Sequence, residues 1–232
     1  MYYSDIKIKV IIPAGGRGLR LGGNIPKQFQ LLGGLPILYR TIDAFQRHKM
    51  VTEIVVAVPP DYVQDVKKYG FDKVLDVVEG GNCRASSVNI ALRTISKGGI
   101  VLIHDGARPL VSEEIIKAVA YKTNKYGAAV ACTPITDTIK EVSFIDADNE
   151  HGQILATLNR SHLWRAQTPQ GFTYDLIMQA QQDFENIKSL ITDDSMLVER
   201  LGKPVYVVKD SPRNIKITTP EDLILAEAFL KD

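Results

Sequence analysis

The chain has 232 residues, of which 45% are hydrophobic and 24% are charged. This composition is typical of a globular protein, and the length is sufficient to bury one sizeable core. The chain has 28 lysines and arginines against 27 aspartates and glutamates, a formal net charge of +1. This balance gives no electrostatic reason to expect binding to a nucleic-acid polymer or to a membrane surface. We therefore expect any nucleotide ligand to be small and locally bound.

The sequence also lacks membrane and secretion signals. No apolar run approaches the roughly 20 residues that span a bilayer, and residues 1–9 lack the apolar stretch and cleavage site of a signal peptide. Cys83 and Cys132, the only cysteines, are too few for a disulfide framework or a metal cluster. We expect a cytoplasmic protein with two reduced thiols.

Apolar, β-rich runs alternate with helical patterns along most of the chain. Strands are predicted at Ile6–Ile12, Glu53–Val58, Val74–Val78, Ile100–His104, Ala128–Thr133 and Val205–Val208. Apolar residues recur at helical spacing over Arg84–Ile95 and Glu113–Tyr121. Strands separated by helices imply crossover connections, so we predict an α/β fold with a mostly parallel, doubly wound sheet.

One stretch breaks this alternation. Thr138–Val142 and Ile154–Leu158 are short β-like runs separated by a polar segment, which predicts a hairpin arm that projects from the sheet. Near the C-terminus, Thr219 and Asp222 form a capping box for a final helix. No linker-like segment or internal repeat occurs, so we predict a single domain over residues 1–232 with an arm at about 138–160.

The segment IIPAGGRGLRLGGNIPKQ follows the first predicted strand. A glycine-rich turn at this point lets backbone N–H groups approach phosphate oxygens. Its spacing fits neither the GxGxxG dinucleotide fingerprint nor a P-loop. Because Arg17, Arg20 and Lys27 accompany the glycines, the loop suits a triphosphate. The alternative is a surface loop with solvated basic side chains.

Two further turns follow predicted strands. Gly80 and Gly81 precede a helix that carries Ser86 and Ser87 in its first turn, an arrangement suited to reading a base or a sugar, or simply to capping the helix. Asp105 ends an apolar strand, where one carboxylate can hold a Mg²⁺ ion that takes its other ligands from phosphates and water. The alternative is that Asp105 pairs with Arg108 or caps a turn.

Other polar residues leave their roles open. His104 is interpreted as structural, because no other histidine lies at ligand spacing from it. Asp193 and Asp194 are interpreted as helix-start residues, with Thr192 the more interesting neighbour. Lys216 is a solvated side chain unless tertiary folding brings it to the site.

Taken together and in this order, the segments AGGRGLRLGG, HDGARP, NRSHLWRAQTPQGF, TDDSMLVE and NIKITTP resemble the 2-C-methyl-D-erythritol 4-phosphate cytidylyltransferase family over Ile11 to Leu230. The resemblance implies a Rossmann-like nucleotidyltransferase fold and CTP as the donor. It also implies 2-C-methyl-D-erythritol 4-phosphate as the acceptor, dependence on Mg²⁺ or another divalent cation, and a homodimer whose arms complete the neighbouring active site.

The resemblance also implies roles for individual residues. Catalysis would fall to Arg20, Lys27 and Lys216, and metal binding to Asp105. The nucleotide would be bound by Ala14, Gly15, Gly16, Gly81, Asn82 and Ser87. The acceptor phosphate would be held by Thr138, Arg160 and Thr192 together with Lys216, with Thr138 and Arg160 on the arm.

The chain departs from the family pattern mildly. Asn82 stands where an acidic residue is frequent, Asn159 where aspartate is usual, and Gly106 where alanine is common. Two other functions remain open from the sequence. One is the related transfer of a cytidylyl group to ribitol 5-phosphate, and the other is a nucleotide-binding domain without turnover.

Overall fold

The computed structural model describes residues 6–16, 25–144, 151–182, 184–188 and 190–231. Over these residues the strands are β1 (Ile8–Pro13), β2 (Leu31–Leu32), β3 (Leu35–Pro36), β4 (Val51–Val58), β5 (Val74–Glu79), β6 (Ile100–Ile103), β7 (Ala128–Pro134), β8 (Lys140–Phe144), β9 (Gly152–Thr157), β10 (Trp164–Thr173) and β11 (Tyr206–Lys209). The helices are α1 (Ile37–Gln46), α2 (Val63–Tyr69), α3 (Arg84–Thr94), α4 (Glu113–Tyr126), α5 (Tyr174–Ala180), α6 (Phe184–Ile187), α7 (Ser195–Arg200) and α8 (Pro220–Lys231).

A seven-stranded sheet forms the centre of the fold, in the order β11-β7-β10-β6-β1-β4-β5. All neighbouring strands are parallel except β10, which is antiparallel to both β6 and β7. Every residue of β1 is buried, because helices cover both faces of the sheet. Side chains of α1, α2 and α4 pack on one face and those of α3, α5 and α7 on the other. The predicted mostly parallel, doubly wound α/β sheet is confirmed.

The strand order contains a switch point. From β1 the chain adds β4 and β5 on one side, then returns through α3 to add β6 on the other side of β1. Connections that leave neighbouring strands in opposite directions open a crevice at the carboxyl ends of those strands. This topology places the residues after Pro13 and those after Ile103 side by side.

Strand β10 was not predicted. The segment from Trp164 to Thr173 contains several polar residues and lacks the alternation of a half-buried strand. Residues 167–172 are nevertheless buried between β6 and β7. The register of β10 against β7 shifts between Ala166 and Gln170, and this irregularity lets polar side chains at 167 and 168 reach the carboxyl edge of the sheet.

The predicted hairpin arm is present. Strands β8 and β9 pair with each other as a separate antiparallel ribbon, and almost all of their residues are exposed. Its turn, at 145–150, lies outside the described residues. The predicted capping box of the last helix is also confirmed, since Asp222 accepts hydrogen bonds from Thr218 N–H and Thr219 N–H. Across the described chain, none of the helices combines the length and apolarity needed to cross a bilayer.

Candidate active site

Two glycine loops touch at the carboxyl edge of the sheet. A Cβ atom added at Gly15 would lie 2.9 Å from Ser87 Oγ and 3.0 Å from Gly80 Cα. One added at Gly80 would lie 2.7 Å from Gly15 Cα. Side chains at these positions would push the loop after β1 away from the loop after β5. The predicted nucleotide-binding residues Ala14, Gly15 and Gly16 therefore lie next to the second predicted group, at Gly81.

Ser87 holds the second loop in shape. Its hydroxyl donates to Cys83 O at 3.0 Å and accepts a hydrogen bond from Gly81 N–H at 3.1 Å. A hydroxyl has two acceptor lone pairs, so one remains for a donor on a ligand. Asn82 is exposed between these residues. The predicted alternative, a helix-capping turn, is correct for Cys83, whose Sγ accepts a hydrogen bond from Ser86 N–H. This cap leaves Asn82 exposed, so a ligand can still bind there.

Lys27 begins a 3₁₀ turn that is fastened to the first loop. The neighbouring side chain, Gln28, is buried, and its Nε2 donates to Ala14 O at 2.6 Å and to Gly16 O at 2.9 Å. Gln28 was not predicted, because a glutamine beside a loop gives no local sign of burial. Arg20 and Arg17 lie outside the described residues, so the structure says nothing about their predicted roles.

Asp105 is the centre of a cluster of positive charges. Arg84 Nε donates to its Oδ1 at 2.6 Å, Lys216 Nζ lies 2.9 Å from its Oδ2, and Arg108 Nε lies 3.6 Å from the same oxygen. Folding therefore brings Lys216 to the site, which resolves the alternative left open by the sequence. The segment that carries Lys216 is anchored beside Asp105, because Ile217 N–H donates to Ala107 O at 2.8 Å.

These contacts set the ionisation of Asp105. Burial raises the pKa of its carboxyl group, but Arg84, Lys216 and Arg108 outweigh burial and hold the pKa well below its usual range. The carboxylate is therefore charged at any physiological pH. Together with Asp194, which contacts Arg84, it balances most of the positive charge of Arg84, Arg108 and Lys216.

His104 and Thr168 brace the turn that carries Asp105. Thr168 Oγ1 accepts from Asp105 N–H at 3.1 Å and lies 3.0 Å from His104 Nδ1, while His104 Nε2 lies 3.0 Å from Arg108 O. Since Arg108 O can only accept, we assign the proton of the imidazole to Nε2 and the acceptor role to Nδ1. Burial lowers the pKa of His104 to about 4, so the ring is neutral. This agrees with the structural role predicted for His104.

Gly106 packs against the first loop. A Cβ atom at this position would lie 2.9 Å from Ala14 Cβ and 3.1 Å from Leu38 Cδ1. The departure from the family pattern at Gly106 therefore has a local reason, because this packing leaves no room for a methyl group.

Arg84 and Asp194 are site residues that sequence reasoning missed. Arg84 Nη2 lies 2.7 Å from Asp194 Oδ2, and the Asp194 side chain is only 1% exposed. The helix-start interpretation is confirmed for both aspartates. Asp193 Oδ1 accepts from Met196 N–H at 3.1 Å, and Asp194 is the N-cap residue of α7, although its side chain makes no capping hydrogen bond. Burial raises the pKa of Asp194 although Arg84 opposes this effect.

A cleft of about 140 Å³ opens above this cluster. Thr192, Asp193 and Lys216 line it, together with Arg84, Asp105, Arg108, Ala166, Gln167, Thr168 and Gln170. Thr138 and Arg160 are not among the lining residues. They lie at the base of the arm, where Arg160 Nη1 donates to Thr136 O at 2.6 Å. The structure thus brings Thr192 and Lys216 together and leaves the two predicted arm residues elsewhere on the surface.

The residues of the cleft do not form a metal site by themselves. Both oxygens of Asp105 already contact cationic nitrogens. Among the described residues, no group of three or more histidine, cysteine, aspartate or glutamate side chains is placed to hold a metal ion. Asp105 thus acts as a counter-ion to these cations, and its predicted role as a metal ligand stays a prediction.

The carboxyl edge of a doubly wound sheet is where α/β proteins bind nucleotides. Here that edge combines glycine-loop amides with a cleft lined by Arg84, Arg108 and Lys216 as well as by Asp105 and Asp193. Fixed charges of this kind suit the transfer of a charged phosphorus group. The class defined by this fold and site is the nucleotidyltransferases.

Comparison with known proteins narrows the class. The family model of 2-C-methyl-D-erythritol 4-phosphate cytidylyltransferase matches residues 8–232. A protein of that name from Geobacter metallireducens is 44% identical over 231 residues, which cover 96% of this chain and 97% of the relative. The crystal structure of 4-diphosphocytidyl-2C-methyl-D-erythritol synthase from Anaerococcus prevotii superposes with a TM-score of 0.82 at 32% identity, covering 98% of this chain and 99% of that one. The Francisella tularensis 2-C-methyl-D-erythritol 4-phosphate cytidylyltransferase gives a TM-score of 0.81 at 32% identity, covering 96% and 99%. The chain belongs to the 2-C-methyl-D-erythritol 4-phosphate cytidylyltransferase family.

Proposed function

We propose that the cleft at Asp105 transfers a cytidylyl group from CTP to 2-C-methyl-D-erythritol 4-phosphate and releases pyrophosphate. This is the reaction of the family to which the chain belongs, a step in the synthesis of isoprenoid precursors by the non-mevalonate route. The observation that supports it is the gathering of Arg84, Arg108 and Lys216 around one carboxylate, beside two glycine loops in backbone contact.

The nucleotide is assigned to the two loops. Ala14 donates its own N–H to Ala57 O at 2.7 Å, so its role would be to place the N–H groups of Gly15 and Gly16, which would meet the triphosphate. Gly81, Asn82 and the remaining lone pair of Ser87 would meet the base. Lys27 would stand beside the triphosphate because Gln28 fastens its turn to the first loop. Arg20 keeps its predicted place in this loop as part of the proposal.

The chemistry is a single displacement at the α-phosphorus of CTP. An oxygen of the acceptor phosphate forms a bond to the α-phosphorus, and the bond from that phosphorus to the bridging oxygen of the β-phosphate breaks. Pyrophosphate leaves with the electron pair, and no covalent bond to the protein forms. Catalysis then consists of positioning and of neutralising charge, roles assigned to Lys27, Arg20 and Lys216.

The dependence on Mg²⁺ or another divalent cation stays a prediction. Asp105 contacts three cations, so an ion used in the reaction would take its ligands mainly from phosphate oxygens, which Mg²⁺ favours. No step above depends on a protein-held metal.

The acceptor site is proposed to be completed by a second copy of the chain. Thr192 and Lys216 line the cleft, but Thr138 and Arg160 do not. The arm also exposes apolar side chains, including Phe144, Ile154 and Leu155. A two-stranded ribbon of this kind needs a packing partner, and a twofold homodimer would supply one. Arg160 and Thr138 of the partner subunit would then face the acceptor phosphate.

The proposal includes no nucleic-acid polymer and no membrane among the partners. It places the protein in the cytoplasm as one domain over residues 1–232. The near-neutral charge supports the assignment of partners, and the two free cysteines support the assignment to the cytoplasm.

Release of pyrophosphate tests the proposed function. The protein is incubated with each of the four nucleoside triphosphates and Mg²⁺, together with either 2-C-methyl-D-erythritol 4-phosphate or ribitol 5-phosphate. We expect pyrophosphate with CTP and the first acceptor. Preference for ribitol 5-phosphate would contradict the assigned acceptor, and absence of turnover with every pair would favour a binding domain.

A further inference from the structure

Arg84 joins two parts of the cleft that are far apart in the sequence. As the first residue of α3 it follows directly on the loop that carries Gly81 and Asn82. Its Nε binds Asp105 at the end of β6, and its Nη2 binds Asp194 at the start of α7. One guanidinium group therefore connects three elements.

Each of the two carboxylates adjoins, in space or in sequence, a further residue that lines the cleft. Asp105 receives Arg84 on one oxygen and Lys216 on the other, so Arg84 orients the carboxylate that holds the Lys216 ammonium. Asp194 lies two residues after Thr192, which lines the same cleft. Arg84 thereby links the carboxylate that contacts Lys216 to the segment that carries Thr192.

The stability of the fold alone does not require an arginine that pairs with two carboxylates. Burying charges costs desolvation, and a buried ion pair is frequently no more stable than apolar side chains of similar volume. A planar guanidinium, in contrast, imposes direction on two carboxylates at once, which a lysine cannot do. The arrangement is thus suited to orientation.

We propose that Arg84 is a positioning residue for cytidylyl transfer, which aligns Lys216 and Thr192 on the acceptor phosphate through Asp105 and Asp194. The inference rests on the proposed function. It concerns the acceptor side of the cleft, because the two carboxylates paired with Arg84 adjoin Lys216 and Thr192. These two residues are proposed to hold the acceptor phosphate and not the base.

The test compares Arg84→Gln, Arg84→Lys and the double variant Arg84→Gln/Asp194→Asn with the wild type. The control is Arg93→Gln, an exposed position on the same helix. For each protein we measure the melting temperature, kcat, and KM for CTP and for 2-C-methyl-D-erythritol 4-phosphate.

Arg84→Gln leaves Asp194 buried without a cation, so it should lower the melting temperature. It should also lower kcat/KM for the acceptor by about 100-fold, the scale of a misplaced reacting group, with a change below about threefold in KM for CTP. In the double variant the unpaired charge is gone, so the melting temperature should recover while kcat/KM for the acceptor stays low. Arg84→Lys should fold like the wild type and still lose acceptor kcat/KM, and Arg93→Gln should match the wild type.

Recovery of kcat/KM together with stability in the double variant would overturn the proposal, since Arg84 would then only neutralise Asp194. Wild-type kinetics in Arg84→Lys would overturn the proposal as well. This comparison remains valid even if the glutamine variants fail to fold. A wild-type protein that does not turn over would instead refute the proposed function.

Discussion

At the scale of single residues, the properties of the site depend on which cations the Asp105 carboxylate contacts. In the absence of phosphates, this carboxylate contacts Arg84, Arg108 and Lys216. The Lys216 ammonium has three N–H donors and its side chain is 38% exposed, so it can meet incoming phosphates while it stays on Asp105, which Arg84 keeps in place. The cluster is therefore assembled before the substrates arrive, which spares reorganisation during the reaction.

His104 supplies a prediction on pH and stability. Its pKa in the folded protein is about 4, below the ordinary value of about 6.5. The stability contributed by the neutral ring is fully present above pH 6.5 and is lost as the pH falls towards 4. The loss should amount to about 3 kcal/mol. We expect the unfolding free energy, measured by urea denaturation, to fall more steeply over this range in the wild type than in His104→Gln.

The comparison of the two proteins isolates the imidazole. Glutamine does not titrate in this range, and every carboxyl group is common to both chains. Parallel curves for wild type and His104→Gln would show that His104 protonates without cost and that the hydrogen bonds to Thr168 and Arg108 O do not hold it neutral.

Residue roles could be predicted from the sequence only where a local pattern carries them. Asp105 follows an apolar strand, and Lys216 lies in a segment whose neighbours match a family motif, so both were predicted as site residues. Arg84, Asp194 and Gln28 were not, because their partners lie 12 or more residues away in the chain. Local sequence gives no sign of such pairings.

At the scale of elements, the arm is the part of the fold that most clearly requires a packing partner. Strands β8 and β9 are exposed along their length, and Arg160 lies directly after them. If Arg160 acts on the neighbouring subunit, an inactive Lys27→Ala chain and an inactive Arg160→Ala chain should complement each other. In a mixed dimer one site carries both lesions and the other carries none, so activity should return in about a quarter of all sites after random exchange.

Lys27→Ala mixed with Lys216→Ala is the matched control. Both residues belong to the site of their own chain, so every site of the mixed dimer keeps one lesion and no activity should return. If the Arg160 mixture stays as inactive as this control after proven subunit exchange, Arg160 does not act in trans and the shared-site proposal is wrong.

The elements differ in how well the sequence predicts them. β1 and β4 to β7 are apolar runs and were predicted within a few residues of their observed ends. β10 was missed because its buried residues include Gln167, Thr168 and Gln170. Their burial is tolerated since they hydrogen-bond to Asn214, Asp105 and Asp193. These are tertiary contacts that no periodicity reveals.

At the scale of the whole molecule, the fold explains why distant motifs form one site. The order of motifs along the chain was sufficient to predict the family, which the comparisons confirm. A doubly wound sheet was predicted, but the position of its switch point, between β1 and β6, could not be, because strand order is set by packing of the complete sheet. It is this order that joins the two glycine loops to the Asp105 cleft.

The central claim is that a phosphate oxygen of 2-C-methyl-D-erythritol 4-phosphate itself attacks the α-phosphorus of the cytidylyl group, so that this oxygen bridges the two phosphorus atoms of the product. It is tested by supplying acceptor labelled with ¹⁸O in the three non-bridging oxygens of its phosphate and measuring the masses of both products. A direct attack predicts that all of the label is in the cytidine diphosphate product, one atom now bridging the two phosphorus atoms, and that pyrophosphate carries none. Label in the pyrophosphate, or no cytidylylated product at all, would contradict the account.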